Sequence, residues 1–413
     1  MNKGFVIGIE RGPKHMTQYH LEELKNLAYS LKIDVVRQFT QSAELSTSAY
    51  KIGTGKLEEV QAAVKEYKVH YVIFDEELTN TQIRNLEEAF DTAVIDRTML
   101  ILETFAKRAK TKEAMLQVEI AQLKYLKPRL TALRDSFEQQ QGGIGSRGPG
   151  EKKLELDRRK IEKDINSLER SLKNITRTRQ TNRYKRRTSP IKNVSIVGYT
   201  NAGKSTLMNK LLERSRQLNG KDTEVEDRLF QTLETATRKI QFKDKKPFTL
   251  TDTIGFLSKL PHELVESFKA TLEEIKEADL LLHVVDFSHP YYLDQIQTTE
   301  SVLEEIGVSD IETLYVFNKI DLTNNILPPS FKPAVKISLK DDINIDKLVE
   351  TINDMLFKDD RMVVYSIPQS RGDLIHLLNE YAEILERDYE NNDVHIKARV
   401  SQPLKEQLHA YEI

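Results

Sequence analysis

The pattern of apolar and polar positions changes character several times along the chain, and each change marks a different kind of element. Between residues 4 and 110 the short apolar runs FVIGI, DVVRQF, HYVIFD and TAVID are separated by the helical patterns LEELKNLAYSL and KLEEVQAAVKEY. This alternation predicts a small α/β subdomain over 1–109 with a partly parallel sheet. From 110 to 190 the rhythm is different. Leu116, Ile120, Leu123, Leu126, Leu130, Leu133 and Phe137 advance by threes and fours, and Leu154, Ile161, Ile165, Leu168, Leu172 and Ile175 resume the pattern after a glycine cluster. A spacing of about 3.5 residues is the coiled-coil period. Two such helices joined by a short loop predict an antiparallel hairpin, with GGIGSRGPG (142–150) as its tip. Pro128 lies inside the first helix, where a missing N–H and a crowded ring predict a kink or break.

Residues 191–358 alternate again. NVSIVG, FTLTD, LLLHVVD, TLYVFN and AVKIS are nearly continuous apolar runs, as strands buried on both faces of a parallel sheet require. Residues 359–413 hold MVVYSIP, a helix from about Gly372 to Tyr389, and the alternating VHIKARV. They predict a small α+β domain. The fold class is therefore α/β: a mostly parallel P-loop domain over 191–358, preceded by an α/β subdomain and a helical hairpin and followed by the α+β domain.

The strand ends of 191–358 carry the chemistry. GYTNAGKS fits GxxxxGK[ST] between a strand and a helix, with Gly198, Tyr199, Thr200, Asn201, Ala202, Gly203, Lys204, Ser205 and the adjoining Thr206 around a phosphate. The glycines let backbone N–H groups approach the β-phosphate, Lys204 reaches β- and γ-oxygens, Ser205 suits Mg2+, and the helix start favours the anion. DTIG follows a later strand. Asp252 there can hold a Mg2+-bound water, flanked by Thr253 and Ile254, and the Gly255 N–H can sense the γ-phosphate. NKID comprises Asn318, Lys319, Ile320 and Asp321. The Asp321 carboxylate suits the N1–H and N2–H of guanine, and adenine would leave it unpaired. Asn318 supports the loop and the Lys319 stem can lie on the base. SLK (Ser338, Leu339, Lys340) resembles the loop that offers a backbone N–H to guanine O6. Singly these motifs are weak signals; in this order on successive strand ends they specify a guanine nucleotide.

Two positions bear on turnover. A threonine between the P-loop and DTIG can complete the Mg2+ shell when GTP is bound, and Thr232, Thr235 and Thr237 all qualify by position. Where signalling GTPases place a water-orienting glutamine after DxxG, this chain has Phe256. Intrinsic hydrolysis is expected to be slow and helped from elsewhere. Asn201, inside the P-loop, offers a side-chain carbonyl to a monovalent cation such as K+.

Composition narrows the partners. Lys/Arg and Asp/Glu nearly balance, for a net charge of −2, yet Arg147 to Lys192 holds 16 Lys/Arg against 6 Asp/Glu, a local +10. That asymmetry predicts a polyanion at one segment of the chain. With no cysteine, disulfides, thiolate nucleophiles and Cys-bound zinc are excluded. The nine histidines form no HxH or HExxH pattern. GTGK at 53–56 lacks the P-loop spacing and reads as a turn before a helix. No apolar run is long enough for a signal peptide or a membrane span, so a cytoplasmic protein is expected, and a monomer.

The chain resembles the HflX GTPases of bacterial type over essentially its whole length. The resemblance lies in GTGKLEEV (53–60), VIDRTMLILETFAKRAKTKEAMLQVEIAQLKY (94–125), GGIGSRGPGEKKLELDRR (142–159), GYTNAGKSTLMN (198–209) and DTIGFLSKLPHELVESFKATLEE (252–274). It implies a GTPase that binds the large ribosomal subunit and its rRNA, hydrolyses GTP in response, and splits stalled or idle ribosomes under stress. The family's switch threonine lies in FATLD. Here that segment reads Phe230, Gln231, Thr232, Leu233, Glu234, so the resemblance selects Thr232 as the Mg2+-side residue. The resemblance also carries the glycine tip toward the peptidyl-transferase region. Family members commonly have GETQLETDRR where this chain has GEKKLELDRR, so Lys152 and Lys153 add charge there. Arg147 in the tip and Arg183, Lys185, Arg186 and Arg187 in RTRQTNRYKRR (177–187) become candidates for rRNA phosphates. Two other readings carry less: an RNA-remodelling, helicase-like protein acting on rRNA, suggested by the basic hairpin, and a signalling switch with a protein effector. If Asn201 holds K+, replacing K+ by Na+ will lower basal GTP turnover; equal rates in the two salts would remove that role.

Overall fold

β1 (Asn2–Glu10) is buried from Gly4 to Ile9 on both faces, the condition of a central strand in a sheet covered by helices. The computed structural model describes residues 1–140, 158–175, 191–215, 236–242, 246–253, 255–259, 275–390 and 392–413, without the side chains of 130–140 and 236. Two compact units comprise Met1–Arg177 with Ser258–Phe268, and Thr178–Leu257 with Lys269–Ile413.

In the first unit β1 is followed by α1 (Lys14–Ser30), β2 (Ile33–Ser42), α2 (Thr54–Tyr67), β3 (Tyr71–Phe74), α3 (Asn80–Phe90), β4 (Ala93–Asp96) and α4 (Arg97–Arg108). The sheet order is β2-β1-β3-β4. Every pair is parallel, not partly so, because each return between strands passes through a helix. Phe5, Ile7, Val72, Phe74, Leu86 and Phe90 fill one layer of its core. GTGK, expected as a turn before a helix, instead opens the helix: Gly53 is the N-cap of α2 and Thr54, Gly55 and Lys56 form its first turn. Thr79 and Gln82 close a reciprocal capping box on α3.

Of the kink or break expected at Pro128, the break is absent: α5 (Lys112–Gln140) runs on through the proline. Proline removes one N–H from the ladder, and Arg129 Nη1 donates to the nearby Tyr125 carbonyl at 3.0 Å. The second hairpin helix, α6, covers 158–175. Lys124 meets Glu169 and Lys127 meets Glu162, both at 2.9 Å. Partner numbers fall as α5 numbers rise, which makes the pair antiparallel. The base of α5 is fixed to β4. Asp96, fully buried, accepts from the Tyr125 hydroxyl, from Arg129 Nη2 at 2.8 Å, from the Leu78 N–H at 3.2 Å and, as the N-cap of α4, from Met99 N–H at 2.9 Å. The glycine tip 142–150 and RTRQTNRYKRR lie outside the described residues.

The second unit contains β5 (Lys192–Gly198), α7 (Lys204–Ser215), β6 (Ala236–Ile240), β7 (Phe248–Asp252), β8 (Leu280–Asp286), α8 (Tyr292–Glu305), β9 (Thr313–Asn318), β10 (Ala334–Lys336) and α9 (Ile345–Leu356). The order is β10-β9-β8-β5-β7-β6, parallel except for the β6–β7 pair. Ile196, Leu282, Val284, Leu314 and Val316 are fully buried at its centre. A smaller sheet, β11-β13-β12, follows, built from β11 (Arg361–Pro368), β12 (Glu383–Glu390) and β13 (Asp393–Val400), with α10 (Gly372–Tyr381) and α11 (Gln402–Gln407). The expectation of a helix to Tyr389 is corrected here. α10 stops at Tyr381, Ala382 turns extended, and 383–390 pairs antiparallel with β13. Most of β12 is exposed, so it lacks the buried alternation by which a strand declares itself. Asn392, at φ 73°, supplies the turn that closes the hairpin.

Pro128→Ala restores an N–H to α5 and removes a poor helix former. Thermal denaturation is expected to show stabilisation of about 1–3 kcal/mol; a lower melting temperature would mean that the proline shapes the hairpin base.

Candidate functional site

The P-loop begins where β5 ends. Gly198 takes φ 141° and Gly203 φ 101°, angles that strain any residue with a Cβ. Space adds to the requirement: a Cβ on Gly198 would lie 2.2 Å from the Val284 carbonyl oxygen, and one on Gly203 2.4 Å from Asn318 Nδ2. Asn201 is exposed in the turn with φ 60°. Lys204 starts α7, buried, and its amine donates to the Tyr199 carbonyl at 2.6 Å. Burial lowers its pKa to about 8, opposed by the Asp252 carboxylate. His283 of β8 lies deep in the sheet, where burial and the Lys204 charge hold it down to about 3 and therefore neutral.

DTIG comes up beside this loop. Ser205 Oγ donates to Asp252 Oδ2 at 2.8 Å, and Thr253 Oγ1 donates to the Ile196 carbonyl at 2.6 Å. The Phe256 backbone is strapped to the P-loop strand, with Thr200 N–H donating to its carbonyl at 2.8 Å and its own N–H donating to the Gly198 carbonyl at 3.2 Å. Gly255 packs so closely that a Cβ there would lie 2.8 Å from Lys204 Nζ and 3.0 Å from Thr200 Cα. The Phe256 ring is buried. Ile254 and the segment Phe230 to Glu234, with Thr232, lie outside the described residues.

The two base-side motifs are joined to the P-loop through one residue. Asn318 Nδ2 donates to the Ala202 carbonyl at 3.0 Å, while its Oδ1 accepts from Leu339 N–H at 3.2 Å. Ser338 Oγ donates to Asp321 Oδ1 at 2.7 Å. Lys319 sits at φ 62° and pairs with Asp286 at 2.8 Å. Ile320 opens the short 3-10 turn that carries Asp321, and Lys340 is exposed past the SLK bend. The structure thus brings P-loop, DTIG, NKID and SLK to one edge of one sheet, where a parallel α/β fold takes its ligands. Thr206 lies in the first turn of α7.

Comparison with known proteins adds the family. Three family models match in succession: a GTP-binding GTPase N-terminal region over 18–106, a GTP-binding GTPase middle region over 108–186, and a 50S ribosome-binding GTPase over 193–319. A GTPase HflX of Caldanaerobacter subterraneus subsp. tengcongensis is 44% identical over 393 residues, covering 95% of this chain and 90% of that protein. The chain belongs to the HflX GTPase family. The GTPase HflX of Escherichia coli K12 is 37% identical over 390 residues, covering 93% of this chain and 90% of that protein. Among solved structures, a GTP-binding protein from the archaeon Sulfolobus solfataricus in complex with GDP is 22% identical with a TM-score of 0.47, covering 87% of this chain and 99% of that one. The expected family is met, and the chain is a GTP-hydrolysing enzyme.

Three pairings near the site escaped the sequence reading, those of Asp286, Ser258 and Lys259. Asp286, which holds Lys319, ends LLLHVVD as its one acidic residue. Ser258 and Lys259 follow DTIGFL, and no local pattern marks what they bind.

Lys204 generates a pH prediction. Below about pH 8 the amine is already charged; above it, binding the polyphosphate must return a proton to the amine. GTP affinity is expected to fall as pH rises, by about tenfold at pH 9. Calorimetry in buffers of different ionisation heat will show proton uptake, and Lys204→Arg will remove it, leaving only the nucleotide's own dependence. Equal uptake in both proteins would contradict the prediction.

Proposed function

We propose that this GTPase binds the large ribosomal subunit through its basic hairpin and uses the GTP cycle to separate the subunits of stalled or idle ribosomes under stress. The observation that carries this reading is the unbroken run of family matches, in which the model described as a 50S ribosome-binding GTPase follows directly on a middle region that holds the basic hairpin. The charge distribution supports it, with +10 between Arg147 and Lys192 in a chain of net −2. In this reading the chain works as four parts: an α/β subdomain (1–109), the hairpin (110–190), the G domain (191–358) and the C-terminal α+β domain (359–413). It acts in the cytoplasm as a monomer. Among the described residues no helix is long and apolar enough to cross a membrane.

The site residues take the following roles. P-loop N–H groups and Lys204 bind the β- and γ-phosphates. Asp321 accepts from guanine N1–H and N2–H, while Ser338 steadies its other face through the 2.7 Å bond. Ser205 and Asp252 present two hard oxygens 2.8 Å apart, a donor set that fits Mg2+, with Thr232 as the residue added in the GTP state. Bound there, Mg2+ would neutralise charge on the transferring phosphate. Gly255 N–H meets the γ-phosphate, and Asn201 holds K+ against it. Phe256 orients no water, so ribosome contact completes the catalytic arrangement. Arg147, Lys152, Lys153, Arg183, Lys185, Arg186 and Arg187 meet rRNA phosphates.

Sedimentation of ribosomes with the protein and GDP, GTP or a non-hydrolysable analogue tests this. The protein is expected to travel with large subunits in the analogue, the intact-ribosome peak to fall, and large subunits to stimulate hydrolysis. Arg147→Ala is expected to weaken association while leaving GTP affinity unchanged. No stimulation by large subunits or whole ribosomes would sink the reading.

A further inference from the structure

β8 and β9 end side by side, and a charge pair joins their ends. Asp286 lies opposite Asn318 in the parallel register, and the next residue, Phe287, donates its N–H to the Asn318 carbonyl at 2.9 Å. The chain then turns through Lys319 in the left-handed conformation, φ 62°, which is uncommon for a residue with a Cβ. The Lys319 ammonium lies 2.8 Å from Asp286 Oδ2, with the two side chains 22% and 14% exposed. That is too sheltered for a loose surface pair. Asp286 is itself fixed, because its Oδ1 accepts from the Ser288 N–H at 3.1 Å and from the Ser288 hydroxyl at 2.6 Å. One carboxylate oxygen is thus held by Ser288, and the other holds the ammonium.

Two residues beyond Lys319 stands Asp321, the carboxylate assigned to guanine. Cα atoms two residues apart are at most about 7.6 Å from each other, within the sweep of a lysine's flexible four-carbon stem. The Lys319 ammonium therefore has two carboxylates in reach, and it lies on Asp286. Among the described residues no Lys or Arg pairs with Asp321. Its Oδ1 accepts from the Ser338 hydroxyl at 2.7 Å, a neutral donor that leaves the negative charge in place. Discrimination between purines rests on that charge. Guanine answers it with N1–H and N2–H, whereas adenine offers neither and strands the carboxylate. An ammonium on Asp321 would undo both halves of this choice. Guanine would have to displace it, and adenine would no longer leave a bare charge behind.

We propose that Asp286 is a specificity-determining residue of the guanine site: by holding the Lys319 ammonium on the β8 side, it keeps Asp321 open to the base. The inference rests on the assignment of Asp321 to guanine made above. Asp286 acts through Lys319 rather than on the base. Two carboxylates compete for one cation, and the penalty against the wrong purine lasts only while Asp286 wins.

The test uses the full-length protein without ribosomes. Affinities for GDP and ADP are measured by competition against a fluorescent GDP, with melting temperatures alongside. The proteins are the wild type, Asp286→Asn, Lys319→Met and the double variant. Asparagine keeps the size of the side chain and an oxygen for Ser288 while removing the charge, and methionine keeps an unbranched stem without the ammonium. Asp286→Asn is expected to lower the GDP-over-ADP preference about tenfold or more, by weakening GDP and not ADP. Lys319→Met is expected to lower it less. The double variant is expected to match Lys319→Met, so that removing the ammonium recovers the preference lost with Asp286. A merely structural pair would make the two single variants equal and the double variant no better than Asp286→Asn. That pattern would overturn the proposal, whatever happens to the melting temperature. If the wild type binds GDP and ADP alike, the guanine assignment fails and the proposal with it. If the wild type prefers GDP and Asp286→Asn leaves that preference intact, the role of Asp286 is wrong and the guanine assignment stands.

Discussion

Two adjacent residues of opposite charge, Asp96 and Arg97, are buried at the end of β4, and the N-terminal unit is organised by the need to satisfy each of them separately. They do not pair with each other. Asp96 draws its donors from Tyr125 and Arg129 on the hairpin helix and from the first turn of α4. Arg97 draws its acceptors from α1, from the end of β3 and from Ser258. Removing one partner of a buried pair costs about 3–5 kcal/mol because the other charge is left behind, a large fraction of the stability of an ordinary domain. Sheet, hairpin base and the segment after DTIG are thus held by one dipeptide. Burial of the Tyr125 phenol beside Asp96 also pushes its pKa up, which keeps that hydroxyl a donor throughout the physiological range.

The nucleotide edge follows a different logic. Ala202 and Leu339 seat its loops on the core of the sheet, and polar side chains join one loop to the next. Asn318 bonds to both the P-loop and SLK, and it lies so close to Gly203 that only glycine fits. A single amide therefore sets the spacing between the phosphate-binding and base-binding loops. Lys204 is kept in an apolar setting beside a neutral His283, so no second cation dilutes its attraction for phosphate. Its amine is turned to the Tyr199 carbonyl, a bond that binding would exchange for stronger ones to a phosphate.

The nucleotide loops were legible in the sequence because phosphate approach and guanine discrimination demand particular residue types at fixed spacings. The parallel strands of the six-stranded sheet were legible for a related reason: a strand covered on both faces has to be apolar throughout. Elements lacking such a constraint were misread. β12 is exposed and polar, so 383–390 resembled the end of a surface helix. α5 was expected to kink or break at Pro128; it does not break, and a side chain one residue on meets the carbonyl beside the gap. The anchor on Ser258 was invisible for a geometric reason. Arg97 and Glu23 are 74 residues apart and Arg97 and Ser258 are 161 apart, and no local periodicity records a pairing of that range.

The crevice at the carboxyl edge of the N-terminal sheet, lined by Glu23, Asp75 and Arg97, is filled by Ser258 and Lys259. Its occupant, the Ser258 and Lys259 pair, is tethered to the domain that receives it. A diffusible ligand for such a crevice is diluted as the cell grows and competes with its analogues, whereas a tethered one has an effective concentration fixed by the length and stiffness of the intervening chain. The occupancy of that crevice is then independent of how much protein is present.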